Sequence, residues 1–166
     1  MKKTLLLSLS LLFSGLVNAQ DVDVGDLHIQ KPWSKLVPPT SAVTAGFFDV
    51  TNEGEADDRI IAARADIAGK VELHNHIHED GMMKMREVSS IEVPAGETVS
   101  LKPGSFHVMF FNLTKVPALG EQFPVIVTFE KAGEVELMFK VKEAIKPMHH
   151  NGKHDHNAHD GEHHHH

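Results

Sequence analysis

The side chains best suited to chemistry cluster between residues 74 and 109. This stretch holds His74, His76, His78 and His107, with Met82, Met83, Met85 and Met109 interleaved. Within it, His74, Met85, His107 and Met109 stand in the spacing H-x10-M-x21-H-x-M. A thioether is a poor ligand for Zn(II), Mg(II) or Ca(II), which take imidazole, thiolate or oxygen. Paired with imidazole it suits a soft monovalent ion, and Cu(I) is the biological candidate. The chain has no cysteine, which removes thiol–disulfide exchange, cysteine nucleophiles, zinc–thiolate sites and blue copper, whose site needs a thiolate. No paired acid and base accompanies the cluster, so a site that holds an ion is expected rather than an enzyme. Thioethers carry no proton, so only the histidines, with a reference pKa near 6.5, link binding to pH. Affinity is expected to fall below about pH 6.

Strands must position these groups. Short runs rich in β-formers recur at 22–31, 42–51, 59–65, 70–78, 82–88, 91–93, 98–101, 106–113, 123–130 and 134–141, with Gly, Pro, Asn or Asp between them. Such spacing predicts an all-β antiparallel sandwich or barrel. Pro32-Trp33 is expected to close the first run, with Trp33 and Met138 packing in the core and His28 solvated. Side chains alternate faces along a strand. Val71, Leu73 and Ile77 should therefore face the core, and His74, His76 and His78 should face out. His107 and Met109 should share the outward face of their own strand. Asp80-Gly81 between two such runs is a strong hairpin signal, and it carries Met85 across from the histidine strand. A two-residue turn there pairs Glu79 with Met82 and hence His76 with Met85, leaving His74 diagonal to Met85. A bulge or longer turn would restore His74, so both histidines stand as candidate partners of Met85.

The ends of the chain differ from its middle. Residues 1–19 carry Lys2 and Lys3, an apolar run and Val17-Asn18-Ala19, the pattern of a cleaved signal peptide. The run is too short for a comfortable span, so no membrane insertion is expected, and without cysteine no lipid anchor. Cleavage would take the net charge from −7 to −9, a balance that disfavours nucleic acid and anionic lipid as partners. A single domain of residues 20–143 would follow, expected to be a monomer. Residues 144–166 are almost devoid of apolar side chains and hold Met148, His149, His150, His154, His156, His159 and four terminal histidines. Such a composition cannot bury enough surface to fold alone, and a disordered metal-binding tail is expected. The terminal four histidines read either as part of that tail or as a cloning remnant.

From about Ile29 to Val141 the chain resembles the PCu(A)C family of periplasmic copper(I) chaperones. The resemblance runs through Lys31-Pro32-Trp33, Ala45-Gly46-Phe47, Val71-Glu72-Leu73-His74, Glu79-Asp80-Gly81-Met82, Met83-Lys84-Met85, Leu101-Lys102-Pro103-Gly104 and His107-Val108-Met109. It implies a cupredoxin-like β-sandwich of Greek-key type and a copper site of His74, Met85, His107 and Met109, with His76 kept as the alternate. It also implies Cu(I) delivery in the periplasm to the copper centres of cytochrome c oxidase, to an oxidase subunit or a Sco-type thiol protein. Met148, His149, His150, His154, His156 and His159 resemble the extension that binds further copper, including Cu(II), in some members. A periplasmic buffer that sequesters copper would use the same residues.

Overall fold

The computed structural model describes residues 21–79 and 81–144. The proposed signal peptide, the boundary at residue 20, and the tail ligands Met148, His149, His150, His154, His156 and His159 lie outside the described residues. Among those described, every regular element is a strand: β1 (Val22–Val24), β2 (Leu27–Lys35), β3 (Val43–Asn52), β4 (Asp58–Arg64), β5 (Ala68–Glu79), β6 (Met82–Glu87), β7 (Ile91–Val93), β8 (Thr98–Leu101), β9 (His107–Leu113), β10 (Gln122–Phe129) and β11 (Gly133–Lys142).

The hydrogen-bonded order is β6-β5-β9-β3-β2-β11-β10-β4-β7, with β1 on β2 and β8 on β3. The pairs are antiparallel except β2 with β11, which run parallel through Trp33↔Lys140 and Lys35↔Lys142. This is the one departure from the antiparallel expectation. The sheet curls so that its two halves pack face to face. Phe48 and Phe110 from one half meet Phe123 and Phe139 from the other edge-to-face at 5.7–6.1 Å between ring centroids, a favourable aromatic geometry. The contact is close enough to require glycine at position 46. A Cβ there would lie 2.6 Å from the Phe139 ring and 2.8 Å from that of Phe110.

Alternation places Leu73, Val108, Phe110, Phe48, Val50 and Ile29 in this core. The opposite face of the same strands carries His74, His107, Met109 and Phe47. A bulge in β2 decides how that second face is furnished. Leu27 and Ile29 are buried in the core, and the register with β3 then slips between Gln30 and Trp33. Lys31 there takes φ 52°. One extra residue reverses the facing of everything after it. Trp33 consequently pairs with Phe47 on the second face, ring centroids 4.5 Å apart. The tryptophan is therefore absent from the core expected for it, and the strand runs on through Pro32-Trp33 instead of closing there. Met138 is half-buried on the face of β11 turned away from Leu137 and Phe139. His28 is held by Asp23, 2.5 Å from its Nδ1, which raises its pKa.

Candidate metal centre

Three adjacent strands build the site. β5 lies between β6 and β9, so its outward-parity residues meet neighbours on both sides. Toward β9, His74 is directly opposite His107 and Glu72 is opposite Met109. Toward β6, Glu79 pairs with Met82, His76 with Met85 and His74 with Glu87. This is the register of a two-residue hairpin turn, with Gly81 at φ 74° as such a turn demands. Cross-strand geometry thus gives Met85 to His76, and no bulge restores His74 as its direct partner.

The structure gathers His76, Met85, His107 and Met109 around one open cleft of about 330 Å³. Phe47, Ala45, Lys35, Val37 and the Pro103-Gly104 turn complete its walls. The His76 and His107 ring centroids are 5.0 Å apart, and those of His74 and His107 are 5.8 Å apart. His74 sits beside the cleft rather than in its wall, against Phe111 at 5.8 Å. His107 and Met109 are not the freely outward groups that alternation alone implies. They are 2% and 9% exposed, whereas Met85 is 53% exposed. β9 is covered on both faces, its outer one by Phe47 and the neighbouring imidazoles.

Each imidazole is tethered through one nitrogen. His107 donates from Nδ1 to the Ser105 carbonyl at 2.8 Å, which leaves Nε2 as the lone-pair nitrogen. His76 turns its own Nδ1 to the same carbonyl at a longer 3.4 Å. His74 is held the other way round, its Nε2 2.6 Å from Glu72. Its Nδ1 is buried and has no hydrogen-bond partner. A buried polar nitrogen without a partner is costly. Here it fits a nitrogen able to bind a metal ion, with a carboxylate behind it fixing the tautomer, as metal-bound histidines commonly have. Glu72 is nine-tenths buried and also pairs with Lys70. Hydrogen bonds from His74 and Lys70 hold its carboxyl below the usual range. Among the described residues, no three histidine or acidic side chains converge to hold a cation by themselves. The other donors lining the cleft are the thioethers of Met85 and Met109, which as ligands suit soft ions.

Glu72, the Ser105 carbonyl and the Trp33–Phe47 ring pair go unannounced in the sequence. Glu72 was within its reach, because it shares the parity of His74 two residues before it.

Burial pushes the His107 pKa below its ordinary value, outweighing the Ser105 hydrogen bond, and His76 and His74 push it the same way. A depressed folded-state pKa means that the unfolded chain takes up its proton first as pH falls. The contribution of neutral His107 to apo-protein stability is therefore complete above about pH 6.5 and is lost as pH falls toward the depressed value. Urea denaturation between pH 7.5 and 5 should show a smaller loss of stability in His107→Leu than in the native chain. Equal slopes would contradict the burial argument.

A profile described as putative lipoprotein LpqE-like matches residues 27–141. A putative lipoprotein of Leifsonia xyli subsp. xyli, Lxx21020, is 29% identical over 118 residues, covering 70% of each chain. Among solved structures, the copper-bound PCuAC domain from PmoF2 superposes with a TM-score of 0.65 at 23% identity, over 75% of this chain and 99% of that one. The solution structure of CuI-DR1885 from Deinococcus radiodurans gives 0.60 at 24% identity, over 77% and 84%. These superpositions establish the fold. Lipoproteins are exported, and among the described residues no helix is long and apolar enough to cross a membrane. The chain belongs to the LpqE-like family of putative lipoproteins, and its all-β fold is that of the PCuAC domains.

Proposed function

We propose that this protein carries Cu(I) outside the cytoplasm, in the periplasm after removal of residues 1–19, and passes it by ligand exchange to a protein that assembles the copper centres of cytochrome c oxidase. The observation that carries this reading is the cleft joining His76, His107, Met85 and Met109, with the unpartnered Nδ1 of His74 beside it. The donor types favour Cu(I) over harder ions. Two of the proteins that share the fold, the PmoF2 domain and DR1885, are copper-bound, the latter as CuI. The primary ligands are His74, Met85, His107 and Met109, with His76 in reach as the alternate that strand register favours.

The two thioethers differ in what they do. Met109 is buried and anchors the ion from below, while Met85 is half exposed on the edge strand β6. An acceptor's thiolate reaches the ion from the Met85 side, displaces that thioether, and draws the ion to a site of higher affinity. No bond to carbon is made or broken and no electron moves, so this is exchange and not catalysis. Met85→Ala should raise the rate of Cu(I) release to a thiol acceptor while weakening retention. Met109→Ala should weaken retention more, because its sulfur lies on the side that solvent and acceptor do not reach. A Cu(I) titration against a chromophoric chelator, followed by stopped-flow transfer to an apo oxidase copper domain, tests both. Unchanged stoichiometry and affinity in both variants would remove the assignment. Tight binding without transfer would instead make the protein a copper buffer.

A further inference from the structure

We infer that the β5–β6 hairpin carries a second, outer station for a soft monovalent ion, formed by His78 and Met83 one rung beyond the His76–Met85 pair. The inference rests on the carrier reading for its choice of ion, but on separate residues for its geometry. His78 is directly opposite Met83, as His76 is opposite Met85. Directly opposed residues bring their Cβ atoms within about 4.5–5.5 Å, close enough for imidazole and thioether to share one ion. Period two places both pairs on one face of the hairpin, successive rungs being about 7 Å apart at a rise of roughly 3.4 Å per residue.

The two faces of this hairpin carry different chemistry. On the other face, Ile77 opposes Lys84, Asn75 opposes Arg86 and Glu79 opposes Met82. There the Glu79 carboxylate accepts from Lys84 at 3.0 Å and from Arg86 at 2.8 Å. Hard ion pairs thus occupy one face, and the soft donors of His76, His78, Met83 and Met85 share the opposite one. Packing does not account for the outer pair. Met83 is 50% exposed on an edge strand, and His78 is exposed too. A methionine fills gaps in a core; this one has no core to fill. The rungs form a stepwise route from the buried His107–Met109 end of the cleft, through His76–Met85, to the hairpin tip. Each step trades one imidazole–thioether pair for another, so the ion advances without a change of donor type.

The test uses the full chain with methionine methyl groups labelled with carbon-13 and Ag(I) as a redox-inert soft monovalent probe. Methyl signals are residue-resolved, so histidines elsewhere do not enter the readout. The first Ag(I) should move the Met85 and Met109 methyls, and excess Ag(I) should then move Met83. His78→Ala should abolish or greatly reduce the Met83 shift while leaving those of Met85 and Met109. His78→Ala/Met83→Ala should slow transfer to a thiol acceptor several-fold at unchanged affinity of the inner site. A Met83 methyl that stays still under excess Ag(I) while Met85 and Met109 respond would overturn the outer station and leave the carrier reading intact. So would a Met83 shift that survives His78→Ala unchanged. Movement of Met83 without Met85 and Met109 would establish the outer pair and sink the carrier reading.

Discussion

His107→Ala is expected to weaken Cu(I) retention about 100-fold or more, since losing even an outer-shell partner of a ligand costs about 10–100-fold in metal affinity. The same change should destabilise the fold. His107 is 2% exposed and stands between Phe47, His74 and His76, with its Nδ1 on the Ser105 carbonyl. Removing the ring opens a cavity and leaves that carbonyl only its longer 3.4 Å contact with His76, which places the loss in the range of about 1–3 kcal/mol for a buried group. Met85→Ala separates the two effects. Met85 is 53% exposed, so its truncation should change stability by no more than about 0.5 kcal/mol while still impairing retention. Chelator competition together with urea titration of both variants checks this. Native stability in His107→Ala would show that the second face of the sheet contributes nothing to folding.

Gly46→Ala is expected to destabilise the protein although it adds one methyl group, and Gly46→Val to do so more severely. Two effects oppose one another. Replacing glycine by alanine restricts the unfolded chain and stabilises by about 0.4–1 kcal/mol where the native backbone tolerates it. Against this, the new Cβ would sit 2.6 Å from Phe139 and 2.8 Å from Phe110. Both rings are fully buried and pack edge-to-face on each other and on Phe48 or Phe123, so neither can swing away. Overpacking of this kind costs about 1–3 kcal/mol. The clash wins for alanine by a modest margin and for valine by a wide one. A raised urea midpoint in Gly46→Ala would mean that the two halves of the sheet can separate cheaply. Gly46 also neighbours Ala45, which pairs with Met109, so Gly46→Val should loosen the cleft that Ala45 and Met109 line as well.

Strand positions are legible in the sequence because turn residues punctuate it and one apolar face alternates. The hairpin register at Asp80-Gly81 is legible for the same reason, and with it the His76–Met85 pairing. Partner strands distant in sequence are not. Nothing local announces that β5 lies between β6 and β9, or that β2 pairs in parallel with β11. The burial of His107 and Met109 escapes the alternation rule, because that rule assigns a face and is silent on what covers it. The bulge at Lys31 escapes too, since a lysine at positive φ has no sequence signature. The family spacing names His74 as ligand and the register favours His76. The structure keeps both imidazoles within 6 Å of His107 between ring centroids.

That bulge has an optical consequence. The chain holds one tryptophan and no tyrosine, so its near-ultraviolet emission above 300 nm comes from a single indole. The extra residue in β2 stacks that indole on Phe47, whose other neighbour is His107 at 6.3 Å between centroids. Ion binding at the proposed site is therefore expected to change the intrinsic fluorescence, with no dye attached, through a chromophore that is one aromatic ring removed from His107.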